Sequence, residues 1–167
     1  MFGRVAVASA VLVITIFSML PISLQATEAD GSAIIKLQGS ISQGNKKRIT
    51  VAELEDLGVI TVEINDPFEK KKNSFTGVMM EKFVTHYGNT GVKSVSFFAI
   101  DGYQITFSRA NWASHKIMVA TRVNDKYMDY ENKGPLRIVY PEYDPDKHDS
   151  KEILPKWIWM ITTVKFR

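Results

Sequence analysis

Hydrophobic and polar residues alternate along much of the chain, and this pattern predicts a fold rich in β-strands. The segment VITVEIN (residues 59–65) is the clearest case, because every second side chain is apolar and would lie on one buried face. Similar short apolar segments bounded by turn residues predict strands in residues 32–39, 93–100, 103–108, 116–124, 134–141 and 156–166. Asp101-Gly102, between two of them, is typical of a tight hairpin turn. Trp157 and Trp159 alternate in the last predicted strand, so both should lie on one side, in the core.

Two short helices are predicted between these strands. Thr50 is followed by Glu53 three residues later, the pattern of a capping box, which predicts a helix of one to two turns. A second helix is predicted from about Val78 to a glycine end at Gly88. Strands and helices do not alternate in a βαβ rhythm. The sequence therefore predicts an α+β fold with mixed, partly open, barrel-like sheets and no parallel sheet.

Residues 1–26 have the order of a secretory signal. Arg4 supplies a positive charge, the apolar run that follows reaches Leu20, and Ala26 is a small residue suited to cleavage. The run is also about long enough for a marginal membrane span. We therefore predict a signal peptide, or an uncleaved inner-membrane anchor, followed by a single domain over residues 27–167. In both cases the domain is expected in the periplasm.

The composition excludes several classes of function. The chain has no cysteine, so it offers neither a disulfide nor a thiolate for catalysis or metal binding. With 21 basic and 18 acidic residues it is too balanced to predict a nucleic-acid-binding protein. His86, His115 and His148 share no metal-ligand spacing. No Gly-x-Ser-x-Gly motif or glycine-rich phosphate loop is present.

Three residues remain as candidates for a binding site. Arg137 interrupts the apolar strand PLRIVYP, which fits either a partly buried ion pair or a guanidinium at the rim of a pocket. Trp112 lies in the polar segment SRANWASH and fits either core packing or a stacking platform for a flat ligand. Lys156, just after Pro155, could add a second positive charge.

Six segments in the same order resemble the sulfite oxidase-type molybdopterin-binding domain. They are ITVAELEDLG, FTGVMMEKFV, AIDGYQITFS, IMVATRVNDKYM, KGPLRIVYP and PKWIWMITTVKF, and together they cover nearly all of the chain after the signal. No single motif is specific, but their combination and order point to this fold. The resemblance implies that Arg137, in the Pro-x-Arg strand, and Lys156, in Lys-Trp, belong to a pterin site.

The departures from this family are as informative as the match. The enzymes carry a cysteine that ligates molybdenum on a strand where this chain has VEINDPF, and the Asn-Arg-Arg that follows that cysteine is missing here as well. The histidine usually found upstream of Gly-x-Pro falls near Asn132. Without a thiolate, the resemblance implies that molybdenum has no protein ligand here.

Small exported proteins of this fold that lack the cysteine resemble periplasmic pterin-binding regulators. The resemblance implies a non-catalytic protein that binds a reduced pterin, without molybdenum, and contacts a membrane enzyme making or degrading cyclic di-GMP. A pterin needs an aromatic wall, an acid or amide, and a cation. Besides Lys156 and Asn132, the candidates are Asn65, Asp66, Phe68, Asp101, Trp112 and Arg137, although Asp101 also fits a simple turn residue.

Two other functions stay open at the level of the sequence. One is a molybdopterin-dependent oxidoreductase, or an accessory subunit of one. The other is an interaction protein with a vestigial pocket, which would gain most support if Arg137, Trp112 and Lys156 did not converge on one cavity.

Overall fold

The computed structural model describes residues 29–144, 146–147 and 150–167. The predicted signal segment, residues 1–26, and His148 lie outside the described residues. The strands, numbered in chain order, are β1 Ile34–Gly39, β2 Arg48–Thr50, β3 Ile60–Asp66, β4 Lys71–Met79, β5 Ser94–Ala99, β6 Gln104–Ser108, β7 Met118–Val123, β8 Lys126–Tyr127, β9 Arg137–Val139 and β10 Ile161–Phe166. The helices are α1 Val51–Glu55, α2 Met80–Tyr87, α3 Arg109–Ser114 and α4 Ser150–Ile153, and a 3₁₀ turn follows at Leu154–Lys156.

The first sheet has the strand order β2-β1-β10-β5-β6. Its pairs are antiparallel except for β1 and β10, which run parallel with Lys36 opposite Thr163. The prediction that parallel strands are absent is therefore wrong at this one pair. The two strands are the first and the last of the described chain, so no local connection between them could reveal the pairing.

The second sheet has the strand order β3-β4-β7-β8, and β9 also pairs with β7. In this sheet β9 places Arg137 opposite Ala120. The β5–β6 hairpin forms at the turn that Asp101-Gly102 predicts, and β7 and β8 form a hairpin around a second turn. At the second of these turns, Asn124 and Asp125 both adopt positive φ, as a two-residue hairpin turn requires.

The hydrophobic core lies between the inner faces of the sheets and α2. The Phe83 ring of α2 lies 6.2 Å from Phe97 and 5.6 Å from Phe166 of the first sheet, measured between ring centres. Phe75 and Val119 of the second sheet are fully buried in the same cluster. Burial of these side chains drives the sheets together.

The start of α1 confirms the predicted capping box. The Thr50 hydroxyl accepts the Glu53 N–H at 3.0 Å, and the Glu53 carboxylate accepts the Thr50 N–H at 2.7 Å. The second helix begins at Met80 rather than near Val78, because β4 continues to Met79. Val78 pairs with Val119 of β7, so tertiary pairing extends the strand into the predicted helix.

The last strand also differs from its prediction, since β10 begins at Ile161. Lys156 ends the 3₁₀ turn, and Trp157 and Trp159 lie in the connection that follows. Met160, with φ of 53°, changes the chain direction before β10. Within the described ranges, no helix is long and apolar enough to cross a membrane.

Candidate functional site

Arg137 and Asp66 form an ion pair inside the protein. The Arg137 Nη2 atom lies 2.9 Å from Asp66 Oδ2, and each residue is only 1% exposed. Arg137 is on β9 and Asp66 ends β3, with β4 and β7 between them in the sheet order. In a flat sheet these strands would be about 14 Å apart. The long arginine side chain thus joins two strands that are not neighbours in the second sheet.

Aromatic rings surround the Arg137 guanidinium. Its central carbon lies 5.1 Å from the Phe75 ring centre, 5.6 Å from that of Trp157 and 5.8 Å from that of Trp159. A guanidinium at these distances is attracted to the ring faces. Burial lowers the pKa of Arg137, while the nearby Asp66 carboxylate acts in the opposite direction. Arg137 remains a cation, because the ordinary pKa of arginine is so high.

The hydrogen bonding of this buried cluster is incomplete. Although Arg137 Nη2 and Asp66 Oδ2 are close, their geometry is not that of a hydrogen bond, and Arg137 Nε and Trp157 Nε1 also have no partner in the described part of the chain. Most buried polar atoms in proteins are hydrogen-bonded. These atoms belong to one cluster of contacting residues, so a ligand or a small movement of side chains could supply the missing hydrogen bonds.

Asp66 also shapes the turn between β3 and β4. Its Oδ1 atom accepts the Phe68 N–H at 2.9 Å and the Glu69 N–H at 3.2 Å. The Phe68 ring is thereby held 5.2 Å from Trp159 and 5.9 Å from Trp157, between ring centres. Phe68, Trp157 and Trp159 form a continuous surface, which we call the aromatic wall.

The aromatic wall lines one side of a cleft of about 300 Å³. Asp101 and Tyr103 line the cleft as well, and the Tyr103 hydroxyl donates a hydrogen bond of 2.9 Å to the Pro155 carbonyl. Arg137 does not line the cleft, because Trp157 and Trp159 separate its guanidinium from it. The cleft is thus apolar on one side, polar at its edge, and backed by a buried charge.

A second charged group flanks the aromatic wall. The Glu69 carboxylate lies 2.9 Å from Lys71 Nζ and 3.0 Å from Lys133 Nζ. Hydrogen bonds from Lys71 and Lys133 lower the pKa of Glu69 to about 2. Lys133 Nζ is in turn 5.6 Å from the Trp159 ring centre, so this network supports the wall from the solvent side.

The structure brings four of the predicted residues to this region. Arg137, Asp66 and Phe68 form or support the aromatic wall, as described above. Asp101 lines the cleft, but its carboxylate also accepts the Tyr103 N–H at 2.9 Å, so it serves as a turn residue too. Asn65, which alternates with Asp66 on β3, is exposed on the other face of that strand.

Three predicted residues lie elsewhere. Trp112 is half-buried on α3 and packs against the core rather than lining the cleft. Lys156 Nζ forms an ion pair of 2.9 Å with Glu152. Asn132 hydrogen-bonds Asp129 and lines a separate groove beside β8. Arg137, Trp112 and Lys156 therefore do not converge on one cavity, and this outcome favours the alternative of an interaction protein with a vestigial pocket.

Some residues of this region are not among the predicted site residues, although the sequence contains partial signals for them. The spacing of Trp157 and Trp159 predicts that they lie on the same side, and both do contact Phe68, although not from a strand. Tyr103 follows the predicted hairpin turn. Glu69 and Lys133 are far apart in the sequence, so no local pattern indicates that they pair.

Comparison with known proteins identifies a family and a fold. The family model described as oxidoreductase molybdopterin binding domain matches residues 41–165. Among solved structures, the sulfane dehydrogenase SoxCD from Paracoccus pantotrophus is similar, with a TM-score of 0.58 and 13% sequence identity. The match covers 84% of this chain and 40% of that one, and at this identity it shows the fold alone. The predicted strand-rich α+β, sulfite oxidase-type fold is confirmed. No curated protein sequence matches the chain.

Proposed function

Because the chain belongs to the oxidoreductase molybdopterin binding domain family, we propose that it binds a reduced pterin in the cleft beside the aromatic wall, without catalysing a molybdenum redox reaction. The observation that carries this proposal is the cleft itself, which has aromatic rings on one side and a carboxylate at its edge. Its volume of about 300 Å³ is at the small end of the range of ligand pockets. A small, flat heterocycle is the kind of ligand that this shape suits.

The chemistry of a pterin matches the groups around the cleft. Its fused ring can stack on Phe68 or Trp159, and such stacking is favourable for any flat π-system. The pyrimidine edge of a pterin presents adjacent N–H donors, and a carboxylate accepts a pair of parallel N–H groups well. Asp101 supplies a carboxylate on the lining of the cleft. Arg137, behind the wall, acts as a positioning residue that holds the tryptophans through its contacts with their faces.

The residues present do not fit molybdenum ligation. The sequence contains no cysteine, and among the described residues no group of three His, Asp or Glu side chains is arranged to hold a metal ion. A soft thiolate is the ligand that the family's enzymes use and that this chain cannot provide. The chain's own residues therefore support binding of the organic ring, and we derive no step that passes through a metal.

We further propose that the protein acts in the periplasm and reports its occupancy to a membrane signalling partner, such as an enzyme that makes or degrades cyclic di-GMP. Support comes from the rim of the cleft, where Phe68, Ile100 and Tyr103 are 39%, 57% and 48% exposed. Phe68 and Tyr103 belong both to the lining and to the outer surface. A ligand held between them alters the surface that a partner meets, so ligand and partner would bind cooperatively.

The description of the family favours a second candidate, a molybdopterin-dependent oxidoreductase or an accessory subunit of one. This candidate requires the metal to be held by the cofactor alone or by a partner protein. It predicts molybdenum in the purified protein, whereas the first proposal predicts a pterin without metal.

One experiment separates these candidates. The protein is purified from the cells that make it and denatured, and the released material is assayed for fluorescent pterin and for molybdenum. Pterin without metal supports the proposal. Pterin with one equivalent of molybdenum contradicts it and supports the oxidoreductase. Neither one, together with failure to bind an added tetrahydropterin, supports an interaction protein with a vestigial pocket.

A further inference from the structure

The outer face of the first sheet carries only positive charge. Its strands β1, β2, β5, β6 and β10 contain no aspartate or glutamate. Arg48 on β2 lies directly opposite Lys36 on β1. On the other side of β1, Lys165 of β10 lies opposite Gln38 of β1. Arg167 exchanges two backbone hydrogen bonds with Ser94 of β5, which continues the pattern past the end of β10. We call Lys36, Arg48, Lys165 and Arg167 the cationic face.

The cationic face is not explained by the composition of the chain. The whole sequence is nearly balanced, with 21 basic and 18 acidic residues. In the described part of the chain, no carboxylate forms an ion pair with any of the four side chains, although Lys46, Lys71, Lys72 and Lys133 all have such partners. Like charges directly opposite each other in a sheet are destabilising. The Arg48–Lys36 pair therefore lowers the stability of the fold, and no ion pair among the described residues offsets this loss.

The remaining side chains of this face suit contact with a polar, extended surface. Thr163 of β10 lies opposite Lys36 and adds a hydroxyl group among the cations. Thr106 lies at the far edge of the sheet on β6, where its hydroxyl shares a hydrogen bond with Ser96. Ile34 is an exposed aliphatic side chain at 43% exposure. The cations lie on the three adjacent strands β2, β1 and β10, which span roughly 10 Å of the sheet at the usual strand spacing. None of the four cations lines the cleft beside the aromatic wall, so the cationic face is a separate surface.

We propose that the cationic face docks on an anionic lipid surface. Each lysine or arginine close to such a surface adds to the attraction, and several together give reversible binding. The hydroxyl groups can hydrogen-bond to headgroup phosphates, and Ile34 can enter the boundary of the acyl chains. A broad sheet face meets a planar array of charges more completely than it meets a narrow acidic groove. Ala99 of β5 lines the cleft, so docking of the first sheet would hold the cleft near the membrane.

The test is cosedimentation of the full chain with lipid vesicles, without any pterin. Neutral phosphatidylcholine vesicles are compared with vesicles in which about a third of the lipid is phosphatidylglycerol, at low and at high salt. The wild-type protein should prefer the anionic vesicles, and high salt should abolish the preference because it screens surface charge. The double variant Lys36→Glu/Lys165→Glu should lose about tenfold or more in partitioning, since each cation near the surface contributes about fivefold.

Matched variants make the result specific. Lys72→Glu/Lys82→Glu changes the net charge by the same amount but lies outside the first sheet, and it should retain the preference. Lys36→Gln/Lys165→Gln should give an intermediate loss, and it serves if the glutamate variant fails to fold. The apolar run of residues 5–20 multiplies the partition coefficient of every variant by the same factor. The variants are therefore compared as ratios of partition coefficients, at lipid concentrations where binding is incomplete.

Three results would overturn the proposal. The first is equal binding of the wild type to neutral and anionic vesicles. The second is an equal loss in the two glutamate variants, which would show an effect of net charge alone. The third is retention on immobilised polyglutamate without any preference for anionic lipid, which would assign the face to an acidic protein instead. None of these results would affect the pterin proposal, because no ligand is present in the assay.

Discussion

At the scale of single residues, the structure distinguishes between the two roles that the sequence left open for Arg137. The strand PLRIVYP fitted both a buried ion pair and a cation at a pocket rim, and the structure shows the ion pair, with Asp66. Both residues also act on the aromatic wall. Asp66 fixes Phe68 through the backbone of the turn, and Arg137 lies against Trp157 and Trp159. The pair thus links the core of the fold to the lining of the cleft.

Breaking this pair should be costly, and the two residues should be strongly coupled. Arg137→Met and Asp66→Asn should each lower the free energy of unfolding by about 3–5 kcal/mol, because each leaves a buried polar group without its partner. The double variant should lose clearly less than the sum of the two. Urea unfolding of all four proteins measures the coupling. Strictly additive losses would contradict the description of the pair as one unit.

Glu69 should make stability depend on pH in the acidic range. Its pKa is about 2 in the folded protein, below the ordinary value of 4.5, because Lys71 and Lys133 hydrogen-bond to the carboxylate. A lowered pKa contributes stability that is fully present above about pH 4.5 and is lost as the pH falls toward 2. The stability difference between wild type and Glu69→Gln should therefore shrink over this range. Carboxyl NMR titration gives the pKa directly, and a value near 4.5 would contradict the network.

At the scale of elements, the sequence predicts the caps and turns that depend on neighbouring residues. It does not predict the strand ends that depend on pairing with distant strands. The capping box of α1 and the β5–β6 hairpin depend on residues a few positions apart, so their sequence patterns were sufficient. The end of β4 was missed because its pairing partner, β7, lies about forty residues further along. The segment that starts at Lys156 alternates as a strand does, so the sequence predicts a strand there. In the structure a connection follows Lys156, and β10 begins only at Ile161.

The connection before β9 shows how an element is positioned by close contact. Gly134 is buried, and a Cβ atom added to it would lie 2.1 Å from the Met128 carbonyl oxygen. Gly134→Ala should therefore force the backbone that delivers Arg137 to shift, with a loss of about 2 kcal/mol or more. Gly91→Ala is the matched control, because its nearest contact would be an ordinary 3.5 Å. Equal unfolding midpoints for the two variants in urea would contradict the packing at Gly134.

At the scale of the whole molecule, the sequence was sufficient for the family and the general fold but not for the site. The resemblance to the sulfite oxidase-type domain rests on segments spread along the chain, and a match over residues 41–165 confirms it. The parallel pairing of β1 with β10 and the contact of Arg137 with Asp66 depend on how distant strands meet. The same limitation explains why Trp112, Lys156 and Asn132 were expected at a site that they do not reach.

The central claim, that the cleft beside the aromatic wall binds a pterin, is tested most directly by calorimetric titration of the full chain with 6,7-dimethyltetrahydropterin under anaerobic conditions. The wild type should bind one equivalent. Phe68→Ala should weaken binding by about tenfold, since it removes a stacking surface. Tyr130→Ala, which removes an aromatic side chain of similar exposure away from the cleft, should bind as the wild type does. Absence of binding to the wild type, or equal losses in the two variants, would contradict the claim.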